Sequence, residues 1–473
     1  MSRRSVVIVG GGIAGLAAAW EASGGSTPDP DVFVEVIESL PSTGGALRTT
    51  EFGGQVIDLG ADGFLATRGE ATDFIREVGL GDQLRPIGAS GAWVYLRGHL
   101  DKIPTGLVLG VPTRWAQLRT VKHLSRRAKI GALRDLLVPR RLRYTEELTI
   151  GEILRSKLGD ALVDELIEPM IGGIQAGRVD ELSAEEVFPA LATAARKGGS
   201  LMRAIRPIPV TTPVAPTPLF FSLQDGVGSL PAHLRIVLQQ RGVVFRTNDP
   251  VTAIRRTTGP SHFLSVETAT TVTPADAVVV ATPPQVAGAL LGNLAADVRH
   301  LEFVKSASST MVTFAVPRAT CPLPEGGTGV LVPLNTDFEA GTDSLVTTAV
   351  TFLDRKWTHL HAAQFALVRV HTGRIDDVRA MAMSDDELVS RVNAELDQIF
   401  GAWPEAIETR VQRWPHALPQ YFPFHRTIVT AARTALAPQG VFLGGMAYDG
   451  VGVPASIGSG RRAGSEALAH AQR

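Results

Sequence analysis

The chain has 473 residues, 44% of them apolar and 20% charged, with a formal net charge of −1. That length exceeds what one hydrophobic core supports, and the composition is that of a folded globular protein. Several lobes are therefore expected, and disorder, collagen and coiled coil are excluded as global descriptions. Cys321 is the single cysteine, which excludes intrachain disulfides, a cysteine-based zinc site and an iron–sulfur cluster and fits a reducing cytoplasm.

At the start, Ser2-Arg3-Arg4 ahead of residues 6–19 has the outline of a secretory leader, but three consecutive glycines break the apolar run. Val6-Val7-Ile8-Val9 instead predicts a short parallel strand buried on both faces. Gly10-Gly11-Gly12-Ile13-Ala14-Gly15 follows, then a helix over 16–22 and a second strand over 32–37 ending at Glu38. Gly10 permits the tight turn, Gly12 lets a pyrophosphate approach the backbone, and Gly15 lets the helix pack on the sheet. The helix N-terminus offers its partial positive charge to the phosphates, and Glu38 accepts hydrogen bonds from an adenosine ribose. This unit predicts a dinucleotide site without distinguishing NAD from FAD.

Two further glycine turns come next, Gly44-Gly45-Ala46-Leu47-Arg48-Thr49 and Ile57-Asp58-Leu59-Gly60-Ala61-Asp62-Gly63-Phe64, both suited to backbone contact with a long cofactor. Between 97 and 143 there are twelve Lys or Arg against Asp101 and Asp135, interleaved with Leu107, Val108, Leu109, Val111, Trp115, Leu133, Leu136, Leu137 and Val138. The near-zero net charge therefore hides a basic stretch and an acidic remainder. It reads as a solvated helical face, or as a surface for an anionic membrane, an acidic partner or a polycarboxylate substrate. No nucleic-acid fold or aromatic platform accompanies it.

Residues 207–224 hold five prolines and read as an extended crossing, while Pro283-Pro284 divides 277–296 into strand and helix, so no transmembrane helix is supported. Close to the C-terminus, Val441-Phe442-Leu443-Gly444-Gly445 predicts a strand, then a loop over 446–452 and a helix from Val453 with Pro454 in its first turn. Such a helix, aimed at a reduced flavin, stabilises negative charge at the N1/O2 edge. FAD needs this second glycine site and NAD does not; an ordinary strand-to-helix turn is the alternative. The 11 histidines are scattered, and His359/His361 alternates as on a strand or loop, so no metal site is expected. Glu185-Glu186 and Asp376-Asp377 read as solvated helix or loop ends, and no nucleophile elbow is present.

The glycine segments together resemble the FAD-dependent amine oxidase superfamily. Within it, Glu168-Pro169-Met170-Ile171-Gly172-Gly173-Ile174-Gln175-Ala176-Gly177, Glu181-Leu182-Ser183 and Phe188-Pro189 resemble the protoporphyrinogen and coproporphyrinogen oxidase family. So do Ile103-Pro104-Thr105-Gly106, Arg413-Trp414-Pro415 and Pro419-Gln420-Tyr421. The similarity is nearest to the high-GC Gram-positive branch and weakest over about 300–400; Ala61 stands where relatives often have proline. The resemblance implies an α/β fold: a Rossmann-like FAD domain (1–65, 225–298, 425–473), an interleaved α+β substrate domain (66–95, 205–224, 299–424) and a helical lobe (96–204) facing membrane or partner. It implies noncovalent FAD held by Gly10, Gly11, Gly12, Ile13, Ala14, Gly15, Glu38, Ser39, Ala46, Gly60, Ala61, Asp62, Gly63, Val251, Trp414, Val451, Gly452 and Val453. Taken alone, Val251 reads as a core strand residue and Trp414 as a buried aromatic.

The implied reaction is hydride transfer from a porphyrinogen meso carbon to flavin N5, followed by loss of an N–H proton. Three rounds remove six electrons, and O2 reoxidises the flavin with three H2O2 released. The backbone carbonyl of Gly173 is expected to face the macrocycle, although a glycine there also serves an unusual φ. The basic stretch favours coproporphyrinogen III over protoporphyrinogen IX. An amine oxidase or carotenoid desaturase on the same scaffold, and a non-catalytic binding protein that kept the fold, are the other readings. A cytoplasmic location, peripheral membrane contact through 97–143 and a ferrochelatase as receiver of the product complete the expectations.

Overall fold

In the computed structural model, which describes residues 3–137, 146–206, 218–257 and 263–473, the apolar run at the start is strand β1 (Arg4–Val9). It leads through the glycine loop to helix α1 (Ile13–Ala22) and strand β2 (Val32–Ile37). Strand β1 sits at the centre of a five-stranded parallel sheet. It is flanked by β2 and Ala277–Val280, with Val244–Arg246 and Val441–Leu443 at the edges. Val6 and Ile8 point into a core shared with α1 and the helix Val453–Ala471; Val7 and Val9 point into a second core, shared with the helices Pro284–Leu291 and His425–Leu436. Burial on both faces is why these strands read as unbroken β-branched runs.

Helix α1 and the C-terminal helix Val453–Ala471 pack along small residues. A Cβ added at Gly460 would collide with the carbonyl of Ala14, and one at Gly464 with that of Ala18. This register, ascending in both chains, makes the helices parallel, with the first turns of Val453–Ala471 projecting beyond the start of α1. Gly464→Leu is expected to push them apart and destabilise the protein by about 3 kcal/mol, as overpacking does, with a fall in thermal midpoint in both the flavin-loaded and flavin-free forms.

The second large element is a seven-stranded sheet ordered Glu408–Pro419, Ser306–Pro317, Phe365–Thr372, Thr347–Phe352, Gly329–Leu331, Trp93–Leu96 and His99–Lys102. The expected boundary at residue 95 falls inside its penultimate strand. The hairpin Trp93–Leu96/His99–Lys102 pairs with Gly329–Leu331, so this sheet's N-terminal segment runs on to Lys102. Helices between 115 and 204 enclose a third core of Leu118, Ile153, Leu154, Val163, Leu166 and Ile167 with their neighbours. Of the crossing read over 207–224, residues 207–217 lie outside the described residues. Phe220–Leu223 is a strand pairing with Phe64–Leu65 and Leu84–Pro86. The loop expected over 446–452 contains a helical turn, Met446–Asp449. Among the described residues, no helix is long and apolar enough to cross a membrane.

Candidate active site

The dinucleotide cradle is built from backbone. Gly10 turns with φ +102, and a side chain on Gly15 would strike the Gly10 carbonyl, so the first and last glycines of the loop are fixed by geometry. Gly12 is different. It is the N-cap of α1, makes no side-chain cap, and a Cβ there would meet nothing within 4 Å. The N-terminal amides of α1 thus open onto free space with no acidic residue in the first turn, which is the environment a diphosphate requires. Ile13 and Ala14 are the buried first residues of that helix.

Glu38 ends β2 and is itself buried. Its Oε2 accepts from the Gly11 amide at 2.7 Å, and Oε1 accepts from the Leu40 amide at 2.9 Å and the Ser39 hydroxyl at 3.1 Å. The strap 246–251 is laced to the same place. The Glu38 amide donates to Arg246, and the amides of Asn248 and Asp249 donate to Leu40 and Glu38. Val251 follows directly, so the residue that reads alone as core stands beside the expected adenosine end.

The glycine turns close on this loop from the other side. The Gly44 amide donates to the Gly11 carbonyl at 2.8 Å, and Gly45 lies against Gly12. Ala46 packs so tightly on Gly60 that a Cβ on the latter would collide with its carbonyl. Trp414, on the strand Glu408–Pro419, donates Nε1–H to the Leu59 carbonyl at 3.1 Å and brings its ring to the Gly60 backbone. Contacts thus run from the 10–15 loop to Glu38 and to the 44–45 turn, and from Ala46 to Gly60 and Trp414. The second helix N-terminus is also bare: Gly452, φ +105, caps Val453–Ala471 without a side chain and faces open space. Tyr421 braces the approach to that cap, donating its hydroxyl to the Met446 carbonyl and accepting from the Gly450 amide at 3.0 Å.

Below the 60–63 turn lies a charge network that pattern reading did not single out. Lys356 Nζ donates to Asp62 Oδ1 at 2.8 Å, and the fully buried Arg369 donates to the carbonyls of Asp58 and Gly60 and, at 3.2 Å, to Thr313 Oγ1. Burial pushes the Asp62 carboxyl up, but Lys356 and Arg369 outweigh it and hold the group near 2. Burial also pushes Asp58 to about 7, against the amides of Gly228 and Val227 that donate to it. Burial, with Arg369 alongside, lowers His371 to about 3, so its ring is neutral. The Asp62 carboxylate is thus turned to Lys356 and not free for other partners.

Gly173 lies apart, exposed on the helix Glu168–Gln175 and facing Leu331 of the seven-stranded sheet. Ala176 is left-handed (φ 48) and donates its amide to Gly172. Among the described residues no backbone N–H is donated to the Gly173 carbonyl. Gln420 ties this helix to the Trp414 strand by donating to the Gln175 carbonyl at 2.8 Å. Cys321 packs against the core of the seven-stranded sheet, and burial raises its thiol to about 11, which leaves it protonated and unsuited to covalent attachment of a cofactor.

Residues 13–468 match the flavin-containing amine oxidoreductase profile, nearly the whole chain. The chain belongs to that family. The cofactor is accordingly a flavin, and the nucleotide cradle ending at Glu38 makes it FAD. Among similar proteins is the coproporphyrinogen III oxidase of Mycobacterium leprae (strain TN), 32% identical with 98% of each chain covered. That of Bacillus subtilis (strain 168) is 29% identical over 99% of this chain and 98% of its own. A crystal structure from Exiguobacterium sp. 255-15, described as a candidate protoporphyrinogen oxidase, superimposes with a TM-score of 0.85 at 32% identity, covering 98% of both chains.

Proposed function

We propose that this flavoprotein oxidises coproporphyrinogen III to coproporphyrin III in haem biosynthesis, with O2 as acceptor and H2O2 as by-product. The observation that carries the reading is end-to-end similarity to coproporphyrinogen III oxidases across both chains combined with the intact FAD cradle. Bound FAD supplies the acceptor for hydride from a meso carbon and the site at which O2 is reduced. The chain's own part is orientation and electrostatics. The parallel N-termini at Gly12 and Gly452 hold negative charge at two points of the cofactor. Arg369 fixes the 60–63 backbone, and the Gly173 carbonyl, free of an i+4 partner, faces the macrocycle. No acid or base beyond the pyrrole N–H groups is required, because aromatisation drives the reaction.

Steady-state assays with coproporphyrinogen III and protoporphyrinogen IX, read by porphyrin fluorescence, test the substrate. Faster turnover of coproporphyrinogen is expected; the reverse order would assign protoporphyrinogen. Anaerobic bleaching of the flavin by the porphyrinogen separates both from a non-catalytic binding protein.

For peripheral membrane contact we favour the helix Arg126–Leu137. It exposes Ile130, Leu133 and Leu137 beside Arg126, Arg127 and Arg134. The two acids of the basic stretch, Asp101 and Asp135, are both buried, Asp135 accepting from Ser200, Leu201 and Met202, so the exposed charge is of one sign. Val138, Arg140, Arg141 and Arg143 of that stretch lie outside the described residues. A ferrochelatase remains the proposed receiver of the product.

A further inference from the structure

Beside the helix Glu168–Gln175, at the open end of the seven-stranded sheet, is a cavity of about 340 Å3 lined by Arg178, Arg374, Arg379 and Thr347 and by the acids Asp376 and Asp377, both engaged by those arginines, with apolar residues among its walls. Its polar groups are poorly matched to each other. Arg374 has a side chain only 2% exposed, and its Nε and Nη1 find no hydrogen-bond acceptor. The carboxylate nearest to it, Glu168, stands 3.8 Å away, its own Oε1 equally unpartnered, and burial pushes that carboxyl up towards its neutral form. Thr347 Oγ1 is buried without a partner as well. Among the described residues, Arg178 is held only by ion pairs of 3.7 Å to Glu168 and Asp376, beyond hydrogen-bond reach. Arg379, by contrast, is satisfied, donating to Asp377 and Asp343 at 2.7 Å.

Buried donors on charged groups are costly to leave unmet, so a cluster of them around one cavity calls for an acceptor that the chain itself does not provide. We propose that this cavity is a carboxylate subsite in which Arg178 and Arg374 hold a propionate arm of the porphyrinogen. The inference rests on the proposed substrate and adds where the molecule is gripped. A planar guanidinium meets a carboxylate through paired N–H donors, and the apolar walls suit the methylenes of the arm. The position is right: a Cβ on Gly172 would collide with Arg374 Nη1, so the cavity begins one residue from the Gly173 carbonyl. Two arginines on the periphery of the macrocycle contribute binding rather than chemistry, since the arm is the same in substrate and transition state.

The test compares the flavin-loaded protein with Arg178→Gln and Arg374→Lys, using coproporphyrin III as an equilibrium probe (fluorescence titration) and coproporphyrinogen III in steady state. Arg178→Gln is expected to raise both Kd and KM by about tenfold or more while kcat changes less than threefold. Coproporphyrin tetramethyl ester is expected to bind wild type and Arg178→Gln alike. Arg374→Lys keeps the charge but loses the fork and is expected to weaken binding too. If that buried variant does not fold, Arg178→Gln decides alone. Unchanged Kd and KM in Arg178→Gln overturn the subsite while leaving the oxidase reading intact. A wild type that binds coproporphyrin yet oxidises no porphyrinogen overturns the oxidase reading, and the subsite is then judged on Kd.

Discussion

A Gly12→Asp variant is expected to fold normally and to purify without flavin colour. Gly12 adopts φ −68 and ψ 177, an extended conformation open to any residue, and a Cβ there meets nothing within 4 Å. The fold therefore has no steric objection. Aspartate is moreover a favoured N-cap, able to accept from the first-turn amides of α1 and stabilise the helix by about 1 kcal/mol. The same carboxylate occupies the place, and cancels the field, that the FAD diphosphate requires. Flavin affinity should drop by at least about a hundredfold, roughly 3 kcal/mol, while the thermal midpoint of flavin-free protein stays level or rises. Visible absorbance and circular dichroism on the same sample report the two effects. A yellow Gly12→Asp protein would mean that the phosphates lie elsewhere. Gly15→Val is a weaker test, since it must displace the Gly10 carbonyl and so confuses lost binding with lost structure.

This contrast shows which parts of the site a linear reading can reach. The strand–glycine–helix–strand unit is local: β-branched residues at 6–9 and 32–37 and glycines at 10, 12 and 15 sit within one supersecondary motif, and β1, α1 and β2 form as read. The partners of that loop are distant in the chain, yet Gly44 and Gly60 are still recognisable because close backbone contact demands glycine itself, and Gly452 because its φ does. Charge pairing leaves no such mark. Lys356 finds Asp62 across nearly three hundred residues and sits in a four-residue helix without any pattern. Arg369 carries a signal of its own: it is a lone charge in the strand Phe365–Thr372, flanked by the apolar run 365–368 and Val370, and a charge buried there must have acceptors waiting. The paired acids sit where the sequence pattern puts them: Glu185 and Glu186 stand in the first turn of the helix Ala184–Val187, with the exposed Arg196 and Arg426 as partners, and Asp376 is exposed while Asp377 is held by Arg379.

Replacing Lys356 by Met should convert a stabilising carboxylate into a destabilising one. In the native protein, burial raises the Asp62 carboxyl, and Lys356, then Arg369, more than reverse this, holding it near 2 against an ordinary 3.8. A group whose folded pKa is depressed contributes stability that is complete above the unfolded value and lost as pH falls through the folded one. For Asp62 that window runs from about pH 4 down to about 2. Without Lys356, burial dominates and the folded pKa rises above the unfolded one. The sign then inverts: stability is highest at acid pH and declines as pH rises past about 4. Both side chains keep some solvent, 17% for Asp62 and 21% for Lys356, so the loss near neutrality is set at about 2 kcal/mol, below that of a fully buried pair. Asp58 supplies an internal reference. Its raised value, about 7, gives stability that is present below about 4 and lost as pH rises to 7 in both proteins. Denaturant titrations across that range should therefore show a steeper decline in Lys356→Met than in wild type. Adding Asp62→Asn should restore the wild-type slope and part of the stability. A Lys356→Met curve parallel to wild type would show that Arg369 alone keeps Asp62 ionised, and that the 60–63 turn is held by one cation rather than two.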